Sequence, residues 1–239
     1  MSLQAFDNLK IRMTEPDISQ YLQHAKQMPD VMQKLATMLS VTPHNQANQN
    51  YNAKDMQGQE LVDYNYCGSN FKFAKIGRSV LFLVDMHSTR ADSLKAQDTT
   101  IEYVDCTRAQ LKNGSFNNSK MSFISFVGAN LENCSFFNVQ CGKGVLMIGS
   151  NIHPKMAPKG AILTPDDLQR AIETEHYSQD ELKFILHVLK QGKLDIASSR
   201  QSAVAGSDYL TASHEDQVTQ GIEVVQAMLK DLERKNRPS

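Results

Sequence analysis

An apolar residue stands at every fifth position from Met56 to Leu146, a run of nineteen groups of five between Lys54 and Ile148. The column reads Met56, Leu61, Tyr66, Phe71, Ile76, Leu81, Met86, Ala91, Ala96, Ile101, Cys106, Leu111, Phe116, Met121, Phe126, Leu131, Phe136, Cys141 and Leu146. Apolar residues make up 41% of the chain, so chance would place about eight in such a column. Call this column the third place of each group. The first place is mostly apolar or small (Ala, Ser, Thr, Gly), whereas the second place holds only two apolar residues, Val80 and Val145. Places one and three therefore point inward and place two outward, which is local strand alternation. In this reading Phe126 is core and Ser125 is solvent-facing.

A period of five drifts around a 3.6-residue helix and falls out of phase with a flat sheet of period two. A coil that turns a corner after each group satisfies it throughout. Imperfections are expected early. Lys54 and Gln59 occupy first places in the first coil. Alanines at 91 and 96 stand among charged residues (Asp85, Arg90, Asp92, Lys95, Asp98), which suggests a bulge or loop between Met86 and Thr100. Any slip of register is expected in this early half.

Ala129-Asn130-Leu131, and nearly Ala109-Gln110-Leu111, fit the A-(D/N)-L-x-x pattern, and the unbroken register resembles the pentapeptide-repeat family. The resemblance implies a mainly β solenoid, a right-handed quadrilateral β-helix with four groups per coil. Residues twenty apart would then stack: Met56, Ile76, Ala96, Phe116, Phe136 on one side, and Tyr66, Met86, Cys106, Phe126, Leu146 on another. With coils about 4.8 Å apart, the rod would be roughly 23 Å long.

Three segments follow. Residues 1–53 read as a helical cap (apolar Ile18, Tyr21, Leu22, Ala25, then Val31, Leu35, Met38, Leu39) and, at 44–52, a polar linker or an extended lead-in to the coil. Residues 54–148 are the β-helix. Residues 149–239 are helical, with helices near 165–176, 179–191 and 214–235. Thr164-Pro165-Asp166-Asp167 places a capping hydroxyl, a first-turn proline and acids at the positive end of a helix dipole. Ser178 to Glu181 spells a capping box, and that helix is expected to stop at Gly192. Residues 197–213 are small and polar, the composition of a flexible linker. Val218, Ile222, Val225, Leu229 and Leu232 form one stripe on the last helix. Either the stripe caps an open coil end or it docks a partner. Docking is the preferred reading, because 164–192 suffices to cover one end of a narrow coil.

Net charge is −1, from 25 basic and 26 acidic residues, which argues against nucleic acid as a partner. No apolar run is long enough to span a membrane. The first fifteen residues lack the apolar block of a cleavable signal peptide.

No catalytic, cofactor-binding or metal-binding set emerges. Cys67, Cys106, Cys134 and Cys141 form no CxxC pair. Cys106 and Cys141 read as core residues, and Cys67 as a corner thiol with no histidine near it in sequence. His176 and His187 lack metal-ligand spacing. Gly142-Lys143-Gly144 lacks the remainder of a phosphate loop and reads as the last turn of the coil. In the 164–192 pair, Gln179, Asp180 and Glu181 present the wrong sign for a DNA-reading helix.

The expected function is a non-enzymatic protein-interaction scaffold, with self-association as a further outlet. The resemblance extends to bacterial effectors, which implies a cytoplasmic protein exported into a host cell and acting on host proteins. Effector ligases that add a thioester-forming domain need a cysteine that this chain lacks after Cys141. The alternative is topoisomerase (gyrase) protection, as in the quinolone-resistance members of that family. Those members are strongly acidic, whereas residues 54–148 carry nine acids and ten bases.

Overall fold

The computed structural model describes residues 44–62, 64–202 and 209–235. The helices expected before residue 42 (Ile18 to Ala25, Val31 to Leu39) lie outside the described residues. From His44 onward the chain is a four-sided β-solenoid. Its strands are β1 (His44–Asn45), β2 (Glu60–Val62), β3 (Tyr64–Asn65), β4 (Val80–Asp85), β5 (Thr100–Asp105), β6 (Lys120–Ser125), β7 (Gln140–Cys141) and β8 (Val145–Leu146). All pair in parallel, and through β7 each residue i lies beside residue i+20, as in Leu81↔Ile101↔Met121↔Cys141. Single bridges continue the rule on the other sides, as in Asn70↔Arg90↔Gln110↔Asn130. Backbone bonds such as Phe71 N–H to Arg90 O (2.6 Å) and Asn70 N–H to Gln49 O (2.9 Å) close each coil against its neighbours. The polar stretch 44–52 is thus not a linker but part of the first coil, in which Asn50 bridges Asn70 and Tyr51 stacks on Phe71 at 4.7 Å. Asparagine side chains bond along the coil, so a polar coil can pair as an apolar one does.

The corner is made at the fifth place. Every described fifth-place residue from Asn48 to Asn138 has a left-handed backbone, with φ between 48° (Phe123) and 70° (Gly58). Asparagine and glycine supply eight of these positions, as the sterics favour. Third-place side chains fill the interior: Phe71, Met86, Leu111, Met121 and Phe126 are all buried, and Phe116 and Phe136 stack face to face at 5.2 Å. First-place hydroxyls are buried too. Each donates to a backbone carbonyl of the preceding coil or its own turn: Ser119 Oγ to Ala96 O (2.9 Å), Thr89 Oγ1 to Met86 O (2.9 Å).

No bulge interrupts 86–100. The bridges Asn70↔Arg90 and Lys75↔Lys95 hold the register there. The charged residues all fall at outward places, and Leu94 adds core volume beside Ala91 and Ala96, all three buried. The slip comes at the other end. Ile124 pairs with Val145 and Ser125 with Leu146, an offset of one extra residue. The left-handed corner moves correspondingly to Gly144 and Gly149. Leu146 therefore does not stack on Phe126. It faces the helices, while Val145 and Met147 enter the coil core. The solenoid also runs past residue 148, because Met147 and Val145 bond to Ile162.

Three helices follow: α1 (Pro165–Glu175), α2 (Gln179–Ser202) and α3 (Ala212–Lys235). Thr164 caps α1 in a full capping box with Asp167, and Ser178 and Glu181 cap α2 reciprocally. α2 does not stop at Gly192 but continues to Ser202. A Cβ at Gly192 would lie 2.4 Å from Val127 Cγ1, so the glycine is there for close approach to the solenoid rather than for termination. Nor is 197–213 a free linker throughout. Ser199 accepts from Arg108 (2.6 Å), and Tyr209 donates to Gly128 O (2.8 Å) beside buried Leu210.

α2 lies across one side of the solenoid, where an outward ladder of Leu83, Tyr103 and Phe123 has Phe82 edge-on to Tyr103, and Tyr103 and Phe123 meet Phe184 edge-on. Ser125 points out of the coil as expected, yet α2 and its neighbours bury it completely.

Phe126→Asp should cost several kcal/mol by placing a carboxylate in a one-residue-wide core, whereas Lys120→Asp, on an exposed strand start, should cost under about 0.5 kcal/mol. Chemical denaturation of both variants checks the assignment. Gly192→Ala, which would stabilise an ordinary helix by about 1 kcal/mol, should instead lower the melting temperature here.

Candidate functional site

Four sides can be distinguished by their second-place residues. The side carrying Asn65, Asp85, Asp105 and Ser125 runs under α2. The other three expose ladders. The second carries Asn70, Arg90, Gln110 and Asn130, and the third Asp55, Lys75, Lys95, Ser115 and Ser135. The fourth carries Glu60, Val80, Thr100, Lys120 and Gln140. Neighbouring rungs are tied by side chains: Asn130 Nδ2 donates to Gln110 Oε1 (3.3 Å), Asn138 to Asn118 (3.1 Å), and Lys112 and Lys72 pair with Glu132 and Asp92. Two large apolar side chains stand out of this polar surface, Phe73 at 59% exposure and Phe137 at 73%. They occupy the two corners that flank the third side, about three coils apart along the rod.

The covered side is different in chemistry. His87 Nε2 is 2.6 Å from Asp195 Oδ2 of α2, and His87 Nδ1 is 3.3 Å from Cys67 Sγ in the coil before. The His87 backbone N–H donates to Asp85 Oδ1 (2.8 Å), and Asp195 is held by Gln191 Nε2 (3.1 and 3.2 Å). Burial alone would lower the His87 pKa. The bonds to Asp195 and Cys67 and the charges of Asp105 and Asp195 outweigh it and lift the value to about 11. The ring's stabilising contribution is thus complete below its ordinary 6.5 and fades only as pH rises through about 11. Asp85 behaves oppositely to a paired acid: burial, then the neighbouring Asp105 carboxylate, push it up to about 6.

The expected docking stripe is not a free surface. Val218 and Val225 are fully buried, Ile222 and Leu229 nearly so, and Leu232 is partly buried; all pack with α1 and α2. The stripe is internal because α2 itself presents an apolar face once it lies on the solenoid. Val218 also reaches the last coil, against Gly149. His176 caps the C-terminus of α1 with a left-handed backbone. The Cys67–His87 pair was missed by sequence reasoning although its signal was present: both stand at the fourth place, twenty residues apart. Asp195 had no such signal.

No protein-family profile matches the chain, and no curated protein matches it. Among solved structures, those it is similar to include three pentapeptide-type solenoids. QnrB1, a plasmid-mediated fluoroquinolone resistance protein, shares 16% identity over 49% of this chain and 67% of its own, at a TM-score of 0.28. The pentapeptide repeat protein Rfr23 from the cyanobacterium Cyanothece 51142 shares 15% over 42% and 82%, at 0.24. HetL, a pentapeptide repeat protein of heterocyst differentiation regulation from the cyanobacterium Nostoc sp. strain PCC 7120, shares 11% over 47% and 56%, at 0.25. The β-solenoid assigned to this chain stands on its own twenty-residue register. No helix among the described residues is long and apolar enough to cross a membrane.

Because the native state holds the Asp85 proton more tightly than the unfolded chain, stability is lost as pH rises from about 3.8 through about 6. Asp85→Asn keeps an oxygen for the His87 N–H and removes the charge. Melts should show it more stable than the parent at pH 7, by on the order of 1 kcal/mol, with the gain fading as pH falls below about 4.

Proposed function

We propose that this chain is a non-enzymatic protein-interaction scaffold whose binding surface is the uncovered part of the solenoid, centred on its third side. The observation that carries this reading is the pair of exposed phenylalanines, Phe73 and Phe137, at the corners flanking the ladder Lys75, Lys95, Ser115 and Ser135. Aromatic anchors in a polar, regularly spaced surface are what protein recognition uses. An extended rod presents them without a pocket. The helices, by contrast, direct their apolar faces at one another and at the covered side.

The finer reading is a bacterial effector that uses this surface on a host protein; the Asn-, Gln- and Ser-rich composition is compatible with export and is its support. Gyrase protection is the less favoured reading, because the balanced charge of 54–148 does not imitate DNA.

The test is capture by the immobilised full chain from host-cell and bacterial lysates, with Phe73→Ser, Phe137→Ser and the double variant alongside. A specific partner should be retained by the parent and weakened at least tenfold by the double variant. Recovery from host lysate alone would support the effector reading. Gyrase supercoiling should be unaffected by micromolar protein. Inhibition or protection at that concentration, or a partner held equally by the double variant, would overturn this assignment.

A further inference from the structure

We propose that Cys67 is a nucleophilic thiol that takes up a low-molecular-weight disulfide, such as glutathione disulfide, as a mixed disulfide at the seam between the solenoid and α2. The sulfur is half-buried and 3.3 Å from His87 Nδ1, and the other ring nitrogen is 2.6 Å from Asp195 Oδ2. Ser88 Oγ also approaches that nitrogen, at 3.3 Å. The charged and titratable groups facing the ring are Asp85 and Asp105 from the coil, Asp195 from α2, and Cys67 itself. The carboxylates of Asp195 and Asp105 favour the protonated ring. A doubly protonated ring donates from both nitrogens, to the carboxylate on one side and to the sulfur on the other. A thiol within hydrogen-bond reach of a cation is the setting in which cysteine acts as a nucleophile.

The remaining cysteines show the contrast. Cys134 donates its proton to Leu111 O (3.0 Å), and burial pushes its thiol up to about 12. Burial likewise raises Cys106, and lifts Cys141 to about 11. No cation hydrogen-bonds to any of these three among the described residues. Reactivity should therefore be confined to one of four thiols.

The backbone around Cys67 selects the reaction. The N–H groups of Cys67 and Gly68 are already engaged, by Asn65 Oδ1 (2.9 Å) and His87 O (3.0 Å). Neither can hold the oxyanion that acyl transfer would develop. Sulfur–sulfur exchange needs no such donor. Cys67 sulfur attacks one sulfur of R–S–S–R; the new S–S bond forms as the old one breaks. Cys67 is oxidised and the departing RS⁻ is the reduced product. It departs to solvent, which supplies a proton where the leaving thiol's own basicity calls for one, and the imidazolium stays protonated throughout. Asp195 is a positioning residue: it fixes the ring plane and its charge.

The full chain is mixed with dithiobis(nitrobenzoate) or glutathione disulfide at about pH 6 and about pH 9, and the adduct is located by peptide mass spectrometry. One thiol should react in a fast phase, the adduct should map to Cys67, and Cys67→Ser should abolish that phase. His87→Gln should slow it at least tenfold at about pH 6 and much less at about pH 9, with Asp195→Asn between. Loosening of α2 by either substitution would expose the sulfur and speed the reaction, so a fall in rate is specific to the imidazole's charge. Absence of a fast phase, its survival in Cys67→Ser, or an unchanged or increased rate in His87→Gln would overturn the proposal.

Discussion

A left-handed residue at each fifth place lets three extended residues be followed by a quarter turn, and four such turns bring residue i+20 beside residue i. The parallel hydrogen bonds between coils and the single-file interior follow from that return. The interior is only as wide as facing side chains, so third-place size is set by what lies opposite: Phe116, Phe126 and Phe136 interlock by stacking and edge contacts, and elsewhere Leu94 compensates for Ala91 and Ala96. The left-handed backbone is unfavourable for ordinary side chains. At Leu83, Tyr103 and Phe123 the strain coincides with a ladder that helices cover, so the conformation that turns the chain also aims an apolar edge outward.

That edge is what makes the protein more than a rod. Phe184 and Tyr177 pack against Tyr103 and Phe123, and α2 then crosses the side with Gly192 against Val127 and Ile196 against Gly128. α3 closes over α2 and over the last coil. Burying this side encloses polar groups that would otherwise be hydrated, and each is answered. Thr107 and Ser125 hydroxyls bond at 2.7 Å, Arg108 reaches Ser199 and Tyr209, and His87 meets Asp195. The acidic ladder of Asp85 and Asp105 has the His87 cation beside it.

The same stacking rule thus yields two kinds of surface. On the exposed sides it lines up solvated ladders with two aromatic anchors, suited to a protein partner. Under α2 it sets a cysteine, a histidine and an acid in one line, in a partly dehydrated seam where charge–sulfur contacts are not screened by bulk water. This second surface gives one thiol a setting that the three other cysteines lack.

The period, the inward first and third places and the caps of α1 and α2 were legible in the sequence, because each is decided within about five residues by turn sterics, alternation or a capping side chain. The coil over 44–52 was not, since asparagine ladders hide it behind a polar composition. The slip near Gly144 was not either, since Leu146 is apolar in both registers and only the partner strand tells which way it faces. The covered side belongs to tertiary structure altogether. Whether Gly192 ends a helix or admits a neighbour, whether Ser125 is solvated or buried, and whether Val218 to Leu229 dock outward or inward depend on contacts made far along the chain. Cys67 and His87 lie one coil apart, so the period alone juxtaposes them. His87 and Asp195 are 108 residues apart, and only the laying of α2 across the solenoid brings the acid to the ring.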